Sequence, residues 1–287
     1  MRPIQTLLNQ AKRPEQPVLP PDLQRLYDGD LQFPPAFQER PYVIGNFVST
    51  LDGVVSYQIP GHAGGGEISG HDEGDRFIMA LLRASADAVI IGSRTLEAAA
   101  RDHLWIAEYI YPKAETLYRL YRKDALRKAG HPHTIVVSAS GTVDLDRAVF
   151  RTPDLRAQII TTPGGRERLR AAGVDRLPST EVRVLSNSAA PVAPSSILSD
   201  LRTTLGVNLL LHEGGASLFG QFVSARLVDE FFLTLAPQIA GRKAEQPRPA
   251  MVSGIEFSPE TAPWLRILSV KQGGDYLYLR YAAAAEP

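Results

Sequence analysis

The sequence predicts an α/β protein on a mixed, mainly parallel sheet flanked by helices, with antiparallel strands at the C-terminal end. Three observations carry this. Short, continuously apolar runs alternate with helical stretches, the pattern of strands covered on both faces and joined by crossover helices. Turn residues bound each run. Near the C-terminus two runs follow one another with only QGGD between them, a hairpin signal.

Residues 1 to 40 are rich in Pro and Gln and end in FPPAFQERP, so they read as an extension that wraps or dangles before the first strand; residues 41–287 then form one domain. Strands are expected at YVIGNFV (42–48), DAVIIG (87–92), HTIVVS (133–138), AQIITT (157–162), EVRVLS (181–186) and VNLLLHE (207–213). Helices are expected in HDEGDRFIMALLRASA, PGGRERLRAAG and APSSILSDLRTTLG. VDEFFLTLAPQIAG and LRILSVKQGGDYLYLRYA supply the closing strands. One segment breaks the rhythm. The stretch from about 103 to 132 predicts an inserted amphipathic helix with Leu117, Leu120, Tyr121 and Leu126 on one side, a surface helix or dimer contact.

Composition narrows function. Lys plus Arg equals Asp plus Glu at 31 each, with no basic block interleaved with aromatics, so nucleic acid is not an expected partner. The absence of cysteine excludes thiolate nucleophiles, disulfides and Cys-ligated zinc. The N-terminus has no apolar signal core and no stretch is long enough to span a bilayer, which makes the cytoplasm the default. Of the six histidines, the only close pair, His131 and His133, has no third partner, and no metal site is expected.

Parallel sheets bind ligands at the carboxyl ends of their strands, where helix N-termini present free N–H groups. Two such ends are rich in small residues. One is Gly92, Ser93, Arg94 and Thr95; the other is HEGGASLFG, with Gly214, Gly215, Ser217, Leu218, Phe219 and Gly220. Either alone is compatible with a tight turn. Together, lacking both the Walker lysine and the GxGxxG spacing, they point to a dinucleotide cradle outside the common motifs. Glu213 ends an apolar run and needs either a helix dipole or a polar partner, while Asp52 sits in an ordinary Asp-Gly turn.

In order along the chain, NFVSTLDG, ISG before DRFIMALLRASADAVIIGSRT, LLLHEGGASLFGQFVSARLVDEFFLTLAPQIAG and YLYLRY resemble the pyrimidine reductase domain of riboflavin biosynthesis. The resemblance runs from about Pro41 to Ala282. It implies a dihydrofolate-reductase-like fold, a homodimer, and NADPH-dependent reduction of the ribosyl chain of a ribosylaminopyrimidine phosphate. Carried over by position, Gly92, Ser93, Arg94, Thr95 and the Gly214 to Gly220 turn would hold the cofactor, with Val48 and Ser49 by the nicotinamide. Arg83 would take the substrate phosphate, Glu213 the substrate's polar edge, Asp52 the loop beside the nicotinamide, and Ser69 the pocket wall. Arg94 or Arg166 would meet a 2′-phosphate; either could equally be a solvated arginine.

Two departures fall on the substrate side. Asn46 stands where the bacterial enzymes have a lysine, and LEAAARDHLW replaces an Asp-Asp-Pro segment after Thr95. A pterin, folate or other heterocycle reductase, and a non-catalytic nucleotide-binding homologue, are the competing expectations.

Overall fold

The structure, a computed structural model, describes residues 1–11, 16–187, 190–245 and 248–284. The chain runs β1 (Gln5–Asn9), α1 (Pro21–Tyr27), β2 (Tyr42–Thr50), α2 (Gly65–Ser69), α3 (Glu73–Ser85), β3 (Ala88–Gly92), α4 (Ser93–Ala98), α5 (Ala107–Ile110), α6 (Glu115–Leu120), β4 (His133–Val137), α7 (Ala148–Arg151), β5 (Ala157–Thr161), α8 (Pro163–Ala171), β6 (Thr180–Val184), α9 (Pro194–Leu205), β7 (Leu209–His212), α10 (Ala216–Ser224), β8 (Glu230–Ala236), β9 (Leu265–Gly273) and β10 (Tyr276–Ala283).

All ten strands join one sheet in the order β1-β9-β10-β8-β2-β7-β3-β4-β5-β6. From β8 to β6 neighbours are parallel; the β1–β9, β9–β10 and β10–β8 pairs are antiparallel. Alternation along each strand divides the core. Val89 and Ile91 face α1, α3, α6 and α8, with Leu23, Phe77, Leu81, Tyr118 and Leu169. Ala88 and Ile90 face α9 and α10, with Ile197, Leu201, Phe219 and Phe222. Both faces being covered explains why these strands read as unbroken apolar runs.

The inserted segment differs from the expected long helix. Pro112 has no N–H to continue a helix and forces Tyr111 out of the helical region, so α5 stops at Ile110 and a fresh start gives α6. Its buried side is Tyr111, Ala114, Tyr118 and Tyr121, while Leu120 is exposed. This side packs on α3, with Phe77 edge-on to Tyr111 at 5.8 Å. Arg122 is buried beneath it, donating to the carbonyls of Ala84 and Ala86 at 2.8 and 2.7 Å and so closing the C-terminus of α3. The insertion is therefore part of the core.

The first 40 residues also pack. β1 pairs with β9, and Ile4, Leu19, Leu23, Tyr27 and Leu31 are buried in the α3-side core. Lys271 of β9, itself buried, donates to Thr6 Oγ1 at 2.7 Å and to the Asp28 carbonyl at 3.0 Å, and lies over the Tyr27 ring. The extension wraps, and it adds an edge strand that no local pattern in the sequence signals.

Candidate active site

The carboxyl ends of β2, β7, β3, β4 and β5 share one edge, because these strands are parallel. β7 and β3 are adjacent, so the two glycine turns meet there. Arg94 at the start of α4 donates to Ser217 Oγ at 2.8 Å at the start of α10. Gly215 precedes α10, and Phe219 N–H is the first to bond back, to the Gly215 carbonyl at 3.0 Å. The N–H groups of Ala216, Ser217 and Leu218 are those an α-helix leaves without intrahelical partners. They open on the same edge as Gly92 and Arg94.

The glycines have different reasons. A Cβ on Gly214 would lie 2.2 Å from Ile91 Cα, so this residue is glycine to let β7 cross the end of β3. Gly220 likewise lies against Ser253 and Val252. Phe219 points away from the edge into the core, against His212, Phe231 and Phe47. The side-chain positions of Gly214, Phe219 and Gly220 thus serve packing. Gly92 is the opposite case: a Cβ there would meet only Leu218, at 3.9 Å. Among the described residues, nothing packs into the space above it.

Glu213 has found its partner. Arg83, on the last turns of α3, grips it with Nη2 to Oε2 at 2.7 Å and Nε to Oε1 at 3.0 Å. The side chains are only 2 % and 6 % exposed. Nη1 of Arg83 donates to the carbonyls of Leu104 and Ile106 at 3.2 and 3.4 Å, and Nη2 also approaches His103 Nε2 at 3.4 Å. With its donors engaged by Glu213 and two carbonyls, Arg83 is a buried counter-ion here. Glu213 correspondingly spends its charge on Arg83, not on an exposed face.

Asp52 holds a loop. It accepts from Thr50 Oγ1 at 2.6 Å, from Ala240 N at 3.1 Å and from Gly241 N at 2.7 Å. The Thr50 hydroxyl first, then the two backbone N–H groups, hold its pKa down at about 2, so it stays ionised as a structural brace. Val48 is buried with Val54, Ile68 and Ala236 under α2, and Ser49 Oγ turns back to the Thr50 carbonyl at 2.7 Å. Neither side chain faces outward. Ser69 is fully buried, its carbonyl accepting from Tyr276 OH at 2.9 Å. Asn46 lines a small cavity of about 10 Å³ with Thr234, Ser269, Lys271 and Tyr278, room for one water. Arg166 lies apart from the edge turns, in a cleft of about 290 Å³ between α8 and β6 with Arg170 and Asp175.

Two residues escaped the sequence reading. Asp75, in the first turn of α3, is buried with the hydroxyls of Thr234 and Ser69 and, among the described residues, no cation; burial raises its pKa to about 6. An acid on the apolar side of DRFIMALLR was the available signal. His103 had none, since the charged group it faces, Arg83, comes from α3. Among the described residues, no group of three or more His, Asp or Glu is placed to hold a metal ion, and no helix is long and apolar enough to cross a membrane.

The sequence profile of the RibD C-terminal domain matches residues 41–276. The chain belongs to this family. Among relatives of the RibD C-terminal domain, it is 26 % identical over 219 residues to the 2,5-diamino-6-ribosylamino-4(3H)-pyrimidinone 5′-phosphate reductase of Aquifex aeolicus, covering 76 % of this chain and 85 % of that protein. Acinetobacter baumannii RibD superposes with a TM-score of 0.64 at 20 % identity, over 86 % of this chain and 59 % of that one. A pyrimidine reductase-like protein of Corynebacterium diphtheriae gives 0.64 at 20 % identity over 86 % and 93 %. The chain therefore spans about three-fifths of the Acinetobacter RibD. The matched region covers β2 to β9 and ends at the first residue of β10; β1, which pairs with β9, lies ahead of it.

Proposed function

We propose that this protein is an NADPH-dependent reductase of a ribosylaminopyrimidine phosphate, converting the ribosyl group to ribityl. The observation that carries the reading is the meeting of the two glycine turns, joined by Arg94 and Ser217, one residue away from the buried Arg83–Glu213 pair. The named activity of the Aquifex relative gives the substrate class.

The edge fits a dinucleotide. The unused space above Gly92 suits close approach of a ligand to backbone, and the N–H groups of Ala216, Ser217 and Leu218 suit its phosphates. Arg94, tied to Ser217 at the exposed edge, would meet the 2′-phosphate; Ser93 and Thr95 flank it. When bound, the reduced nicotinamide supplies hydride to C1′ of the ring-opened sugar. The protein contributes orientation. Asp52 fixes the 240–241 loop against the end of β2, and the Arg83–Glu213 pair fixes the floor between α3 and β7. The same reading makes the protein a cytoplasmic homodimer, which sedimentation at working concentrations tests.

A second reading, a reductase of another heterocycle, is favoured by Asn46 and by the replaced segment after Thr95, both on the substrate side. One panel separates them. Purified protein is given NADPH with the ribosylaminopyrimidine phosphate, with dihydrofolate, and alone. Oxidation with the first supports the proposal. Oxidation with dihydrofolate supports the second reading, and cofactor binding without turnover makes the protein a non-catalytic homologue.

A further inference from the structure

His103 stands beside the Arg83–Glu213 pair in the segment that replaces the family's Asp-Asp-Pro. Its Nε2 lies 3.4 Å from Arg83 Nη2. A guanidinium has five N–H donors, no acceptor, and does not lose its proton in proteins, so Nε2 must face it with a lone pair. The ring's single proton is then on Nδ1. A second proton would set two cations together in a half-buried place. Burial first, and the Arg83 charge second, accordingly push the His103 pKa down to about 3.

The ring is held firmly. Trp105 and Tyr109 flank it with centroids at 4.6 and 4.7 Å, tilted by 53° and 56°. The His103 N–H bonds the Ala100 carbonyl at 3.1 Å, and Arg83 Nη1 fixes the backbone beyond it through Leu104 and Ile106. Of the charged groups about it, Arg83 is neutralised by Glu213, and Asp102 accepts from Tyr109 OH at 3.4 Å. Among the described residues, Nδ1–H has no acceptor. What this chain holds in place is a neutral N–H donor with aromatic walls, sharing the Arg83 guanidinium with Glu213.

We propose that His103 is a substrate-recognition residue, its Nδ1–H donating to an uncharged acceptor, the ring carbonyl oxygen of the heterocycle. A phosphate would favour imidazolium, which burial first and Arg83 second oppose; a carbonyl oxygen needs only the neutral donor. The assignment rests on the reading of the chain as a heterocycle reductase and adds which residue reads the ring.

Two measurements test it on the full chain. With ¹⁵N-histidine labelling, His103 is expected as the neutral Nδ1–H tautomer from pH 5 to 8, its Nδ1 resonance shifting when the ribosylaminopyrimidine phosphate is added. In kinetics, His103→Phe raises KM by about 2- to 12-fold, the range one neutral hydrogen bond supplies, with the larger part of the loss in KM rather than kcat. His103→Asn, which keeps an N–H donor near that position, recovers most of it, and NADPH affinity is the same in all three. An Nε2–H tautomer, an unchanged KM in His103→Phe, or a wild-type KM that climbs as pH rises from 5 to 8 overturns the proposal, the last by revealing an anion on an imidazolium. If no heterocycle is turned over, the functional reading fails separately. The His103 assignment then survives only if the ribosylaminopyrimidine phosphate or dihydrofolate still shifts its Nδ1 resonance, and falls if neither does.

Discussion

Replacing Asp75 by Asn should make the protein more stable at pH 8 and leave it little changed at pH 4. Asp75 is 4 % exposed, at the start of α3. Its backbone N–H donates to Asp72 Oδ2 at 3.0 Å. Its carboxyl meets the hydroxyls of Thr234 and Ser69, and faces the carboxylates of Asp72 and Glu213, with no cation among the described residues. Burial raises its pKa from 3.8 to about 6; the hydroxyls act against the rise and the two carboxylates with it. A rise of that size corresponds to roughly 3 kcal/mol. The folded state binds the proton more tightly than the unfolded chain does. Stability is thus fully present below pH 3.8, declines as pH rises to about 6, and stays lower above that. Asparagine cannot ionise. The variant should therefore gain up to about 3 kcal/mol over wild type at pH 8, less about 1 kcal/mol for imperfect amide hydrogen bonds, and gain nothing at pH 4. Urea unfolding of both proteins at pH 4, 6 and 8 measures this, and other titrating groups cancel in the difference. A gap independent of pH, or a variant whose margin over wild type is smaller at pH 8 than at pH 4, would refute the reasoning.

Glu213→Gln leaves the Arg83 charge buried without its counter-ion and should cost about 3–5 kcal/mol in urea unfolding, most of it restored by Arg83→Met in the same chain; a cost below 1 kcal/mol would mean the pair is not held as described. Gly214→Ala drives a Cβ to 2.2 Å from Ile91 Cα and should destabilise by at least about 1–3 kcal/mol. Gly92→Ala meets only Leu218 and should melt within about 0.5 kcal/mol of wild type while weakening NADPH binding, so equal melting losses in the two variants count against the cradle. Deleting residues 1–31 removes Ile4, Leu19, Leu23, Tyr27 and Leu31 from the core, each worth about 1.5–3 kcal/mol, and should yield aggregated protein; a soluble truncation with an unchanged melting point would show the extension to be dispensable.

The βα elements were legible because their signals are local. AVIIG and LLLH are unbroken apolar runs, Asp72 and Thr162 cap the starts of α3 and α8, and Gly206 closes α9. β1 was not legible: QTLLN is five residues long, and its partner on β9 lies some 260 positions away. The inserted segment was misread for a related reason. Its leucines keep a helical period, but Pro112 divides it, and the face that is buried is set by α3.

At the site the same division holds. Turn chemistry at Gly92 and Gly214, and a carboxylate ending an apolar run, are written in adjacent residues, so reading along the chain is enough to assign two glycine turns and Glu213 to one strand edge of an α/β sheet. It takes the packed fold to show that Arg83 and Glu213, 130 residues apart, neutralise each other, that His103 completes the guanidinium's shell, and that Phe219 fills core rather than cleft. The physical reason is burial. A charge or a ring removed from water must be satisfied by whatever the packed elements bring within a few ångström, and that neighbourhood is fixed by sheet order, not by position along the chain.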